Sequence, residues 1–258
     1  MKHKFLFILL FSLVLEGMVT TQAVAGDYVH QVNTLIGTKG TGLTSGYLYP
    51  GATYPYGMVQ FTPSYFSKRS GFVINQLSGG GCEHMGNFPT FPVKGKLKMS
   101  PDNILNYRIN VSEEKGHAGY YEAMVQEDIK AKLTVTERTG MASYEYPADQ
   151  QYGTIIIGGG ISATPIEQAA IVITAPNKCE GYAEGGNFCG LRTPYKVYFV
   201  AEFDTDAFET GTWKREELMP NTTFAEGEYS GVYFTFDVNK KKNIQYKIGV
   251  SYVSVENA

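Results

Sequence analysis

The chain has 258 residues, 43% of them hydrophobic and 18% charged, with a formal net charge of -3. That length can bury a sizeable core, and that composition excludes a disordered polymer. No basic stripe is present to neutralise phosphates, which excludes a nucleic-acid partner.

The N-terminal segment reads differently from the rest. Lys2 and Lys4 precede an apolar run over residues 5–15, and Ala23, Val24 and Ala25 supply small side chains where a signal peptidase cuts. The pattern predicts a cleaved signal peptide over residues 1–25, a mature chain over residues 26–258, and export to the periplasm or the exterior. The run falls short of the roughly twenty apolar residues that a bilayer requires, so no membrane span is expected. Lipid anchoring is not expected either, because the first cysteine is Cys82.

Next come two turn-rich stretches. Gly37, Gly40, Gly42 and Gly46 in GTKGTGLTSG form a glycine cluster without a following helical pattern, so a dinucleotide site lacks its helix N-terminus. In YLYPGATYPYGMVQFTP, residues 47–63, turns at Pro50-Gly51 and Pro55-Tyr56 exclude helix and lead into a short strand over residues 58–61.

The loop LSGGGCEHMGNF, residues 77–88, holds the densest set of reactive side chains. Ser78, Cys82, Glu83 and His84 surround Gly79, Gly80 and Gly81, whose backbone can approach a ligand closely. No Lys-Ser/Thr pair follows these glycines, which excludes a P-loop. Cys82 and His84 lack a second ligand pair, which makes a zinc site poor. Nucleophilic catalysis has components in Ser78, Cys82, His84 and His117, and carboxylates are plentiful in Glu83, Glu122, Glu127, Asp128 and Glu137. Nothing in their spacing brings a base and an orienting acid together.

From residue 129 onward the period is two. Ile129, Ala131, Leu133 and Val135 alternate with polar neighbours, as do Tyr195, Val197, Phe199, Ala201 and Phe203. The same holds for Val232, Phe234, Phe236 and Val238, and for Ile244, Tyr246, Ile248, Val250 and Tyr252. Residues 154–157 and 169–174 are β-branched apolar runs. With 29 glycines, 11 prolines and no sustained helical period, the mature chain is expected to be all-β, a large antiparallel β-sandwich. Cys179 and Cys189 are close enough in sequence to suggest a local disulfide, leaving Cys82 free. Trp213, the sole tryptophan, reads as a strand-edge residue packed under the stems of Lys214 and Arg215. Lys240, Lys241 and Lys242 read as a solvated hairpin tip. Alternation continues to Val255, three residues before the last, which a natural end and a cut at a domain boundary would each explain.

Several dispersed motifs, taken in order, carry a family resemblance. VNTLIGTKGTG, YPGATYPYGMVQFTP, LSGGGC, GYYEAMVQEDIKAKLTVTERTGMASYEYP, FCG and PYKVYFVAEFD resemble, in order and spacing, the N-terminal domain of glycoside hydrolase family 92, a family of exo-acting α-mannosidases. The resemblance implies a β-sandwich packed on a C-terminal barrel of paired helices, with the active site between them. It also implies calcium dependence, inversion at the anomeric centre, and a general acid and base that belong to the helical domain, which is absent from this chain. This chain alone is then expected to be inactive and to hold no metal, while Ser78, Gly79, Gly80, Gly81, Cys82, Glu83 and His84 line the sugar side of the cleft. The expected partners are the helical domain of the same polypeptide and α-mannosides or mannose-containing glycans. One departure stands out. Members of the family carry Phe-Ser-His-Thr-His-Leu-Ser-Gly where this chain has Phe72, Val73, Ile74, Asn75, Gln76, Leu77, Ser78 and Gly79, so both histidines are absent and neither a linkage nor an aglycone preference carries over. The competing readings are a stand-alone carbohydrate-binding module, which binds mannosides without calcium, and a non-catalytic interaction domain.

Overall fold

A computed structural model describes residues 28, 31–38, 48–64, 71–77, 85–102, 111–162, 164–186 and 190–258. The chain divides into two units, Met1–Gln31 and Val32–Ala258, and all of the strands named below belong to the second.

In chain order the strands are β1 (Ala52–Thr53), β2 (Gln60–Pro63), β3 (Phe72–Val73), β4 (Thr90–Lys94), β5 (Val111–His117) and β6 (Tyr120–Val125). Then follow β7 (Ile129–Val135), β8 (Thr139–Glu145), β9 (Tyr152–Gly158), β10 (Ile166–Ala175), β11 (Lys178–Gly185) and β12 (Tyr195–Phe203). The last are β13 (Glu209–Lys214), β14 (Glu217–Pro220), β15 (Phe224–Glu226), β16 (Ser230–Asp237) and β17 (Asn243–Ser251). They form two sheets. One has the order β1-β2-β3-β4-β9-β16-β13-β14, the other β15-β10-β11-β12-β17-β8-β7-β6-β5. Every strand pairing within them is antiparallel. The all-β antiparallel sandwich expected from the sequence is the observed fold.

Alternation sets which side chains enter the core. Ile129, Ala131 and Leu133 of β7 are buried, as are Val197, Phe199, Ala201 and Phe203 of β12 and Ile244, Tyr246, Ile248 and Val250 of β17. Between the sheets, Phe203 packs against Phe234, Phe236 and Tyr246 with ring centroids 4.7, 5.1 and 5.3 Å apart. Phe72 stacks on Tyr144 at 6.0 Å. Such aromatic pairs contribute about 0.5–1.5 kcal/mol each beyond the area they bury.

Four local expectations are corrected. Alternation in β16 does not mark a half-buried strand, because Tyr233 and Thr235 are as buried as Val232, Phe234 and Phe236. β16 lies between β9 and β13, and it is covered on both faces. Trp213 is not an edge residue: β14 is the edge strand, and Trp213 is fully buried on β13. Its ring lies where a Cβ on Gly231 would stand, 2.3 Å from the nearest ring atom, so the glycine is what admits the indole. Lys240, Lys241 and Lys242 do not cap a hairpin, since β16 and β17 belong to different sheets and the turn crosses between them. Lys241 is tied there to Asp204 at 2.8 Å. The last strand ends at Ser251 rather than Val255, because the Ser251 hydroxyl accepts from the amides of Val253 and Ser254 and turns the chain into a 3-10 segment, Val255–Asn257.

Candidate functional site

Register places several connections at one end of the sandwich. β2, β4, β8, β10 and β12 begin there, and β3, β7, β9, β11 and β17 end there. Links between the sheets hold this end together. The Met58 amide donates to the Glu137 carbonyl at 2.7 Å, joining the β1–β2 turn to the β7–β8 turn. The Val250 amide donates to the Arg138 carbonyl at 3.1 Å.

The Pro-rich segment makes the first of these turns. Tyr56 sits at φ 59° with its side chain fully exposed. Tyr54 is half exposed, and Gly57 packs against the Glu137 backbone, where a Cβ would fall 3.1 Å from a carbonyl oxygen. The strand expected over residues 58–61 is observed as Gln60–Pro63. Exposed apolar side chains of the same rim include Leu77, Leu191, Tyr252 and Val253. A cluster of exposed apolar groups at one end of a domain marks a contact surface more readily than scattered ones do.

Beneath this surface lies a neutral polar network at the base of the Gly-rich loop. The Asn75 side-chain oxygen accepts from the backbone amides of Gly86 and Asn87 at 3.1 and 2.8 Å. Its amide nitrogen donates to the Asn87 side-chain oxygen at 3.0 Å and, longer, to the Tyr252 hydroxyl at 3.5 Å. The Tyr195 hydroxyl donates to the same Asn87 oxygen at 2.8 Å. Residue 75 precedes the loop and residues 86 and 87 follow it, so a single carboxamide pins the two arms together. Tyr195 opens β12 and Tyr252 follows β17, so the network also bridges the two sheets. Burial pushes the Tyr195 hydroxyl up to about 12, and it raises that of Tyr252 as well. Both hydroxyls stay protonated at neutral pH.

The loop residues singled out from the sequence, Ser78, Gly79, Gly80, Gly81, Cys82, Glu83 and His84, lie outside the described residues. What the structure places is their two anchor points. Cys189 also lies outside the described residues, while Cys179, its expected partner, is a free thiol fully buried on β11. Desolvation, with Glu180 nearby, holds that thiol well above its ordinary range. The other candidates are scattered. Glu122 on β6 accepts from the Tyr120 hydroxyl at 2.7 Å and faces Lys115 and Lys130 at 3.6 and 3.7 Å. The tyrosine hydrogen bond, with help from the lysines, holds its carboxyl below the ordinary range. Asp128 pairs with Lys94 at 2.9 Å in the β6–β7 turn, at the opposite end of β7 from Glu137. His117 stacks on Tyr120 with centroids 5.0 Å apart. Each of these contacts is made within the sandwich itself. Among the described residues no group of three or more His, Cys, Asp or Glu is arranged to hold a metal ion.

Asn75, Asn87, Tyr195 and Tyr252 carried no sequence signal as a set, because the partners are 12, 108 and 177 positions apart. The one sequence feature that touches this set is the departure from the family pattern over residues 73–76.

Residues 31–251 match the glycosyl hydrolase family 92 N-terminal domain. The chain is 30% identical to an uncharacterized secreted glycosidase of Arthroderma benhamiae, over 96% of this chain and 36% of that protein. A solved family 92 glycosyl hydrolase shares the fold with a TM-score of 0.75 and 22% identity, over 89% of this chain and 33% of that one. A family 92 α-mannosidase from Bacteroides thetaiotaomicron does so with a TM-score of 0.74 and 24% identity, over 88% and 34% respectively. The chain thus spans about a third of the length of these relatives.

Proposed function

Since the chain belongs to glycosyl hydrolase family 92 as its N-terminal domain, we propose that it is the β-sandwich part of an exported, calcium-dependent, inverting exo-α-mannosidase. The observation that carries this reading is the match over residues 31–251 combined with coverage of a third of each relative, which leaves room for a second, catalytic domain.

Inversion requires a general acid at the leaving oxygen and a general base that activates water on the far side of the sugar, with the carboxyls about 6.5–9.5 Å apart. On this reading both belong to the helical domain. Glu122 and Asp128, two carboxylates weighed from the sequence, are held by lysines and a hydroxyl of the sandwich itself. Calcium would bind oxygen ligands of the helical domain.

The sandwich contributes recognition. The rim of Tyr54, Tyr56, Leu77, Leu191 and Tyr252 offers apolar area for the helical domain to cover. Ser78, Glu83 and His84 then hydrogen-bond substrate hydroxyls from a loop whose arms Asn75 holds in place. Hydrogen bonds of this kind discriminate well, because a missing partner leaves a buried polar group unpaired. Export rests on residues 1–25, and the relative named as a secreted glycosidase supports it. No helix among the described residues is long and apolar enough to cross a membrane. N-terminal sequencing of the exported protein should begin at Gly26; a retained Met1 on that material contradicts export by cleavage.

The test of function compares this chain with the polypeptide that continues into the helical domain, using an aryl α-mannoside with and without calcium. Turnover is expected only from the longer polypeptide. In it, His84→Ala should lower kcat/KM by about one to three orders of magnitude without abolishing chemistry. Calcium-independent mannoside binding by this chain alone, with no activity gained on extension, would favour a stand-alone binding module.

A further inference from the structure

Tyr56 is held in a strained backbone conformation that its own side chain does nothing to offset. The Gly57 amide donates to the Tyr54 carbonyl at 3.0 Å, which closes a turn over residues 54–57 with Pro55 at its second position and Tyr56 at its third. Tyr56 stands there at φ 59°, a left-handed conformation for which this position of a turn ordinarily carries Gly or Asn. Its ring is as exposed as in an extended chain, so it packs on nothing in the sandwich.

The turn is not free to relax. The Met58 amide is bonded to the Glu137 carbonyl of the β7–β8 turn at 2.7 Å, and Gly57 lies against the Glu137 backbone too closely for a side chain to fit easily. A conformation held in this way, with an aromatic ring that touches nothing, points to a role outside the domain.

We propose that Tyr56 is the anchor of an interdomain contact, a knob that the helical domain receives in an apolar pocket one aromatic ring deep, with a hydrogen-bond partner for the phenol at its floor. The assignment rests on the two-domain reading and adds the residue on which docking turns. The geometry favours a protein pocket over a sugar. A stacking platform lies against its own domain with one face free, whereas neither face of this ring is covered. Half-exposed Tyr54 adds apolar area in the same turn, and Glu137 and Arg138, exposed in the turn joined to it, supply the polar rim that surrounds such anchors at interfaces. The relatives are about three times as long as this chain, so in them there is polypeptide to supply the pocket. Tyrosines seated in pockets dominate many interfaces, and a turn already fixed in place loses little freedom on docking.

The test uses this chain and the polypeptide that continues into the helical domain, and it reads docking rather than turnover. An inactive longer polypeptide would therefore count against the mannosidase reading and not against the anchor. Limited proteolysis between the domains follows the population of the undocked state when opening and closing are fast. In the longer polypeptide Tyr56→Ala is expected to speed that cleavage about tenfold or more, and Tyr56→Phe, which keeps the ring, by less than about fivefold. In this chain alone Tyr56→Ala should leave Tm within about 2 °C of the parent. Unchanged cleavage in the alanine variant, or equal acceleration by both variants, would overturn the proposal. So would a larger loss of Tm in this chain, which would make Tyr56 a structural residue. A raised KM for an aryl α-mannoside with cleavage unchanged would make the ring a sugar platform and would overturn it as well.

Discussion

Asn75→Leu removes the centre of the clamp on the two loop arms while keeping the branched shape and the number of side-chain heavy atoms. Asn75 accepts from the Gly86 and Asn87 amides at 3.1 and 2.8 Å and donates to Asn87 at 3.0 Å; the 3.5 Å contact to Tyr252 is weak. The Asn87 side-chain oxygen keeps the Tyr195 hydroxyl as a donor, so only the two backbone amides are stranded. Each stranded buried donor costs about 1–3 kcal/mol, and the two are neighbours whose costs do not simply add, so a loss of about 3 kcal/mol is expected. For a domain of this size, 1 kcal/mol shifts Tm by about 2–4 °C, which makes the expected drop about 6–12 °C. Circular dichroism melting of the variant and parent chains reads that shift, and hydrogen exchange at the Gly86 and Asn87 amides localises it. A Tm within about 2 °C of the parent, with unchanged exchange at both amides, would refute the argument that one carboxamide anchors both arms of the loop.

Cys179 should resist alkylation in the native chain, since it is fully buried and burial favours the neutral thiol. Denaturation without reductant should expose it to modification; a Cys179 that stays unreactive when unfolded would mean that it is disulfide-bonded after all. Glu122 has its folded pKa lowered, first by the Tyr120 hydroxyl and then by the lysines, so it contributes stability above its unfolded pKa and loses it as the pH falls through the folded value. Glu122→Gln should therefore lose less stability than the parent as the pH falls below the ordinary carboxylate range, and a parallel loss would contradict the assignment.

The sandwich was legible because its strands follow the simplest rule available. In β7 and β17 one face meets the core, and the alternation of Ile129, Ala131 and Leu133, or of Ile244, Tyr246 and Ile248, is burial written directly into the chain. That rule fails where a strand is covered on both faces. Val232, Phe234 and Phe236 alternate with Tyr233 and Thr235, whose burial comes from the strand's place within the sheet and leaves no local mark. Trp213 was misread for the same reason, since the glycine that admits it, Gly231, is contributed by the neighbouring strand. The loop over residues 78–84 was legible as chemistry, through its glycines and reactive side chains. Its support was not: an asparagine that bonds to amides 11 and 12 positions on looks like any other polar residue in a turn-rich stretch.

The central claim, that this sandwich is one part of a two-domain α-mannosidase, is tested most directly by turnover. The 258-residue chain, and the polypeptide that extends it through the helical domain, are each incubated with an aryl α-mannoside in the presence of calcium, and the anomer released is followed by NMR. No hydrolysis is expected from this chain, and release of β-mannose, the inverted anomer, is expected from the longer polypeptide. Hydrolysis by this chain that disappears when one of its own carboxylates is neutralised would place the catalytic machinery in the sandwich and contradict the account.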